Sequence, residues 1–214
     1  MAVALDRFWL SRGMMAQGQL ACVAALSLPG AEQHEQLCAE AMLISGRLLS
    51  YLGLDIEAIA QLQQCVSLAR EGELTQCLAD ALSRMGYAYL SINDQTTARA
   101  CLEEAYALSK ARQDDFTSGG TAATSLAELE RLEGNIDAAR HLYGRELRHV
   151  RACGDRLSTM IGLNNLSIIA VVQRDHATAR EMLLESLAIS DELGSRRGRL
   201  VVMEVCAGLA ASLE

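Results

Sequence analysis

The side chains best spaced for chemistry are His141, Glu146, His149 and Cys153. On a helix, Glu146 and His149 form an i,i+3 pair and His149 and Cys153 an i,i+4 pair, so the three share a face. A carboxylate, an imidazole and a thiolate placed this way can hold a metal ion. The rest of the sequence argues against that use. It contains no H-E-x-x-H and no G-x-S-x-G pattern, and no cysteine shows a histidine-and-acid arrangement around it. No G-x-x-x-x-G-K-[ST] loop occurs, and the lone lysine, Lys110, is followed by Ala111, so nothing cradles a phosphate. The remaining carboxylates sit beside arginines, where i,i+4 pairing is the plain reading, and Glu181 with Glu185 reads as a solvated face. The expectation is a non-enzymatic chain with no metal and no cofactor.

Charge narrows the partners. Nineteen basic residues against 27 acidic ones give a net charge of −8 over 214 residues. Binding to nucleic acid or an anionic lipid surface needs clustered cations. Arg145, Arg148 and Arg151 form one short basic strip and Arg196, Arg197 and Arg199 another, but acids flank both. Neither nucleic acid nor membrane is expected as a partner. Met160 to Val172, the most apolar stretch, is too short to span a bilayer and carries Asn164 and Asn165. Asp6 and Arg7 interrupt the early apolar run, so no signal peptide is read. The seven cysteines are an odd number without a C-x-x-C pair. Cys65, Cys101 and Cys206 fall where a helix wants a small apolar residue, which suits reduced thiols in the cytoplasm. Eighteen of the basic residues are arginine, and with so much alanine this points to a GC-rich bacterial genome.

The elements that must position these groups are helices. Half the residues are hydrophobic but only 4% are aromatic, and there is one proline. An all-β chain would use more proline in its turns, and alanine with leucine favours helix. The chain also repeats itself. Ala58, Ala98, Ala139 and Ala179 recur at intervals of 40, 41 and 40 residues. Each is followed four residues later by Leu62, Leu102, Tyr143 or Leu183, and then by Val66, Tyr106, Leu147 or Leu187. Upstream of each lies a small residue, Gly46, Gly86, Ala127 or Ser167, and between them a polar turn near Gly53, Asn93, Gly134 or Arg174. Each block therefore holds two antiparallel helices, with the small residue set against the alanine so that the axes approach closely. The blocks close near Gly72, Asp114, Gly154 and Gly194.

The repeats span residues 35–73, 75–114, 116–155 and 156–195. Residues 4–30 read as a shorter hairpin turning at Gln17-Gly18, and 199–213 as a lone first helix. This makes about eleven helices in one repeat domain, 1–214. The unpaired last helix marks either a cap or a segment of something longer, and its apolar face is a candidate contact for homo-oligomers.

The small residue and the A-x-x-x-hydrophobe resemble the tetratricopeptide repeat (TPR), best in the second full block, through Leu82, Met85, Gly86, Tyr89, Ala98, Leu102 and Ala105. The opening tryptophan and closing proline of that consensus are missing, and the period is near forty rather than 34. Leu163-Asn-Asn-Leu166, Ala179 to Ser190 and the opening Arg7 to Gly13 are similar to the helical repeat region of bacterial LuxR-type, MalT-like transcriptional regulators. The resemblance implies an all-α fold, a right-handed superhelical solenoid of antiparallel helix pairs. It also implies a binding role for a peptide, a partner protein or a small effector in the cytoplasm, with ATP and DNA handled by other modules.

In TPR proteins the first helices line the concave groove. By that resemblance the groove residues are Arg47, Tyr51, Arg84, Tyr87, Glu128, Arg131, Asn164 and Asn165, with Ile44, Ser125 and Ile168 beside them. Arg84 offers a forked donor for carboxylate or phosphate. Asn165 can donate to and accept from a peptide backbone, and Tyr87 offers a flat amphipathic ring. Family members that grip a C-terminal carboxylate use cations and asparagines on these faces; Glu128 departs from that pattern.

Overall fold

The computed structural model describes residues 5, 8–9, 12–111 and 122–211. Among them are ten α-helices and no strand: α1 (Met15–Leu26), α2 (Glu35–Tyr51), α3 (Asp55–Glu71), α4 (Thr75–Ser91), α5 (Gln95–Ala111), α6 (Ala122–Leu132), α7 (Ile136–Ala152), α8 (Arg156–Val172), α9 (His176–Glu192) and α10 (Arg196–Ala211). They fall into two compact units, Met1–Ser125 and Leu126–Glu214.

One turn design recurs. After a helix comes a residue with positive φ: Gly53 (75°), Glu73 (51°), Asn93 (64°), Gly134 (85°), Gly154 (71°), Arg174 (60°) and Gly194 (61°). The amide of the following residue reaches back five positions, as in Leu54 to Leu49, Asp94 to Tyr89 and Asp175 to Ala170, at 2.9–3.0 Å. This Schellman closure satisfies carbonyls that the helix end would leave orphaned. The closure expected near Asp114 lies outside the described residues. At the start of the next helix, Asp94, Asp155 and Asp175 accept from the amides of Thr97, Ser158 and Thr178 at 3.0–3.1 Å. Aspartates at this position cap free N–H groups and face the positive end of the helix.

In the first unit, α1 packs on α2, α2 on α3, α3 on α4 and α4 on α5, and α2 also touches α4. In the second unit, α7 packs on α8, α8 on α9 and α9 on α10, and α8 also touches α10. Ala58, Ala98, Ala139 and Ala179 are all fully buried, as the repeat requires. Their partner differs from the expected small-against-small contact. A Cβ on Gly46 would stand 2.5 Å from Leu62 Cγ, and one on Gly86 would stand 2.6 Å from Leu102 Cγ. The small residue of the first helix thus receives the large side chain of the second, not chiefly its alanine. Burying such a leucine contributes about 1.5–3 kcal/mol.

The N-terminal hairpin is corrected. Gln17-Gly18 is no turn; both residues lie inside α1, and the chain reverses earlier, at Gly13 (φ 68°). Gly18 is buried because a Cβ there would come within 2.6 Å of the Trp9 ring and 2.8 Å of Leu48. Trp9, Cys22, Ile44 and Leu48 form a core under this end of the first unit.

Candidate first-helix binding face

The sequence-predicted site residues divide between the units, and the structure treats the two sets differently.

In the first unit, Arg47 and Tyr51 lie on α2 and Arg84 and Tyr87 on α4, the two first helices that touch. Arg47 and Arg84 are half-buried. Burial pulls the Arg47 pKa below the usual guanidinium range, and the neighbouring charge of Arg84 adds to this; Tyr51 and Asp80 act in the opposite sense. Four polar side chains from two helices therefore share one electrostatic neighbourhood. Asp80 in turn accepts from Gln76 at 3.1 Å. Tyr51 and Tyr87 expose 43% and 51% of their surface. Like charges on a partly desolvated surface repel each other, and the nearby Asp80 carboxylate offsets part of that repulsion at Arg47.

In the second unit, Glu128 and Arg131 pair with each other. The Arg131 fork donates to Glu128 through Nη2 at 2.6 Å and Nε at 2.9 Å. The buried Tyr143 hydroxyl of α7 donates to the same carboxylate at 3.0 Å. The hydrogen bonds that Arg131 donates to Glu128 push its pKa up. Burial, followed by the Glu128 charge, pushes Tyr143 well above the tyrosine range. These residues knit α6 to α7.

Asn164 is a correction. It is only 3% exposed, and its Oδ1 accepts from Ser186 Oγ of α9 at 2.7 Å. It points at its own second helix and not at an open face. Asn165, the next residue, is half-buried. Ser186 also donates to the Met160 carbonyl at 3.3 Å, and Cys65 donates to the Ala39 carbonyl at 3.2 Å. Both donors sit seven residues after the packing alanine, and each bond spans 26 positions. One hydrogen bond thus recurs in both units, a feature that periodicity of hydrophobicity alone does not show.

The other chemical candidates are placed as follows. Cys153 Sγ lies 3.3 Å from His149 Nε2 on an exposed surface. Among the described residues, no three His, Cys, Asp or Glu side chains converge as a metal site would need. Glu185 is not merely a solvated acid, since it pairs with Arg151 at 2.5 Å. Cys65 and Cys101 are buried, but Cys206 is exposed, contrary to its expected packing role. An open depression of about 560 Å³ lies at a helix turn of the second unit, beside Glu130, Asn135, Asp137 and Val172. It contains none of the predicted groove residues.

No protein-family model matches the chain, and no curated protein matches it. Solved structures do. A Podospora anserina kinesin light chain protein of nearly identical TPR-like repeats is 15% identical, with a TM-score of 0.62, over 90% of this chain and 94% of that one. BtubC (BKLC) from P. vanneervenii is 16% identical, with a TM-score of 0.66, over 92% of this chain and 81% of its own. The MamA protein is 17% identical, with a TM-score of 0.52, over 92% and 93%. The fold is all-α and TPR-like, built as a solenoid of antiparallel helix pairs.

Proposed function

We propose that this chain is a non-enzymatic TPR-like binding module that engages a protein or peptide through the first-helix face of its first unit. The observation that carries this reading is the placement of Arg47 and Tyr51 on α2 and of Asp80 and Arg84 on α4, two helices that touch, close enough for Arg84, Tyr51 and Asp80 to act on the Arg47 charge. Two guanidiniums with exposed Tyr51 and Tyr87 beside them suit a carboxylate flanked by apolar side chains. The partner segment is acidic, or ends in a free carboxylate; a small anionic effector is the lesser form of the same chemistry. Glu128 and Arg131 act as positioning groups, because their charges already satisfy one another. Asn165, half-buried on α8, is a separate candidate contact of the second unit. The test is selection of peptides with free C-termini from a display library, followed by Arg84→Glu and Asn165→Ala. Loss of affinity in Arg84→Glu, with the fold intact, supports the reading; binders indifferent to both substitutions refute it.

We infer further that the module serves as the sensor or docking region of a larger bacterial transcriptional regulator in the cytoplasm. Its support is the likeness of Leu163–Leu166 and Ala179–Ser190 to LuxR-type, MalT-like repeats. Ligand binding would shift the population of repeat arrangements and so signal to neighbouring domains. No helix among the described residues is long and apolar enough to cross a membrane. The flanking coding sequence tests this reading: a phosphate-binding loop upstream and a helix-turn-helix downstream are expected, and their absence would remove it.

A second reading is homo-oligomerisation through α10, favoured by Leu200 and Met203, which are 60% and 65% exposed. Light scattering across a concentration series decides it. A mass that rises with concentration, and falls back in Met203→Glu, is the expected sign of assembly; a constant monomer mass contradicts it.

A further inference from the structure

The sulfurs of Cys65 and Cys77 lie 3.6 Å apart inside the first unit. Cys65 is on α3 and fully buried, whereas Cys77 is 8% exposed and sits in the first turn of α4. The two helices belong to successive repeats. Cys65 also donates to the Ala39 carbonyl of α2 at 3.2 Å, so this point joins three helices. A disulfide needs sulfurs about 2.05 Å apart, so closure asks for a movement of about 1.5 Å. The chain between them is the α3–α4 turn, where Glu73 holds a positive φ of 51°.

We propose that Cys65 and Cys77 form a reversible redox site, in which a peroxide converts the two thiols to a disulfide that staples α3 to α4.

The two sulfurs are not equivalent. The α4 N-terminus presents its positive end to Cys77, which favours a thiolate there. The sulfur–sulfur contact with Cys65 lowers the Cys77 pKa; the same contact, with burial, raises that of Cys65. Cys77 is therefore the attacking sulfur and Cys65 the resolving one. The Cys77 thiolate attacks one peroxide oxygen and the O–O bond breaks. The departing hydroxide takes up a proton and leaves as water, and Cys77 becomes a sulfenic acid. The Cys65 sulfur then attacks the Cys77 sulfur, the S–O bond breaks, and a second water leaves with the Cys65 proton. Two thiols and one hydrogen peroxide give one disulfide and two waters; the sulfurs lose the two electrons that the peroxide gains. Peroxide is close to water in size, and reaches the site when the α3–α4 turn opens locally.

The staple fixes α4, the helix that carries Asp80, Arg84 and Tyr87. It closes a short loop, so it restricts the unfolded chain and raises stability.

The experiment uses the full chain with the exposed Cys153 and Cys206 changed to serine. It is treated with hydrogen peroxide, folded and in urea, and analysed by intact mass and peptide mapping. The expected product is lighter by two hydrogens, is cross-linked between residues 65 and 77, reverts with dithiothreitol, and melts about 5 °C or more higher. The cross-link should form faster in the folded chain than in urea. Cys77→Ser should abolish it, and Cys65→Ala should leave Cys77 as a trappable sulfenic acid. A cross-link that forms no faster folded than unfolded, or a different cysteine pairing in the folded chain, would overturn the proposal.

Discussion

The Arg70 guanidinium on α3 contacts both oxygens of Glu104 on α5, at 2.6 and 2.7 Å, and so joins the second helices of successive repeats. Arg151 on α7 and Glu185 on α9 repeat the arrangement in the second unit, across the same separation of 34 positions. In each case the arginine stands twelve residues after a packing alanine, and the glutamate six after the next. Both pairs are about half exposed. A double-mutant cycle on Arg70→Ala and Glu104→Ala should give a coupling of about 0.2–1 kcal/mol that shrinks as salt rises. Zero coupling at low salt would make the repeat in register incidental.

The glycine contacts predict opposite signs for the same substitution. Gly86→Ala should destabilise by about 1–3 kcal/mol, because the new methyl meets Leu102 Cγ at 2.6 Å and the Ala98 carbonyl at 3.3 Å. Gly144→Ala, whose methyl meets only Arg148 Nη1 at 3.7 Å, should stabilise by up to about 1 kcal/mol. Urea unfolding of the two variants measures both. Equal effects would mean that the small residue of the first helix is not a packing device.

Tyr143 carries a pH signature. Its proton is held in the folded state by burial first, and then by the Glu128 carboxylate. A tyrosine whose folded pKa is raised contributes stability that is full below its unfolded pKa of about 10, and that is lost as pH rises beyond it. Stability of the wild type should therefore fall above about pH 10 more steeply than that of Tyr143→Phe. Near neutral pH, Tyr143→Phe should cost about 0.5–1.5 kcal/mol for the lost hydrogen bond. Parallel pH-stability curves for the two proteins would show that the hydroxyl is not coupled to folding.

The repeat was legible because buried small and large positions recur at fixed intervals, and because the turns need residues that tolerate positive φ. The failures have physical causes. Gly18 looked like a turn but is a packing site under Trp9, since glycine serves both purposes. Asn164 and Asn165 are adjacent in sequence, yet one helix step turns Asn164 into the interface with Ser186. Glu128 and Arg131 read as open groove charges because a partner on another helix, Tyr143, cannot be seen from local spacing. Cys65 read as a small hydrophobe, which its burial satisfies, but its neighbour Cys77 is brought in only by packing. The repeat register places Arg47 and Arg84 on first helices, and the packing of α2 on α4 brings them into one electrostatic neighbourhood.

The most direct measurement is the affinity of one selected acidic, free-carboxylate peptide for the wild type and for Arg84→Glu, by calorimetry, with circular dichroism confirming that both are folded. The account predicts at least about a tenfold loss, equivalent to about 1.4 kcal/mol, and a weaker interaction for the wild type as salt rises. Equal affinities for the two proteins, or binding that does not change with salt, would contradict it.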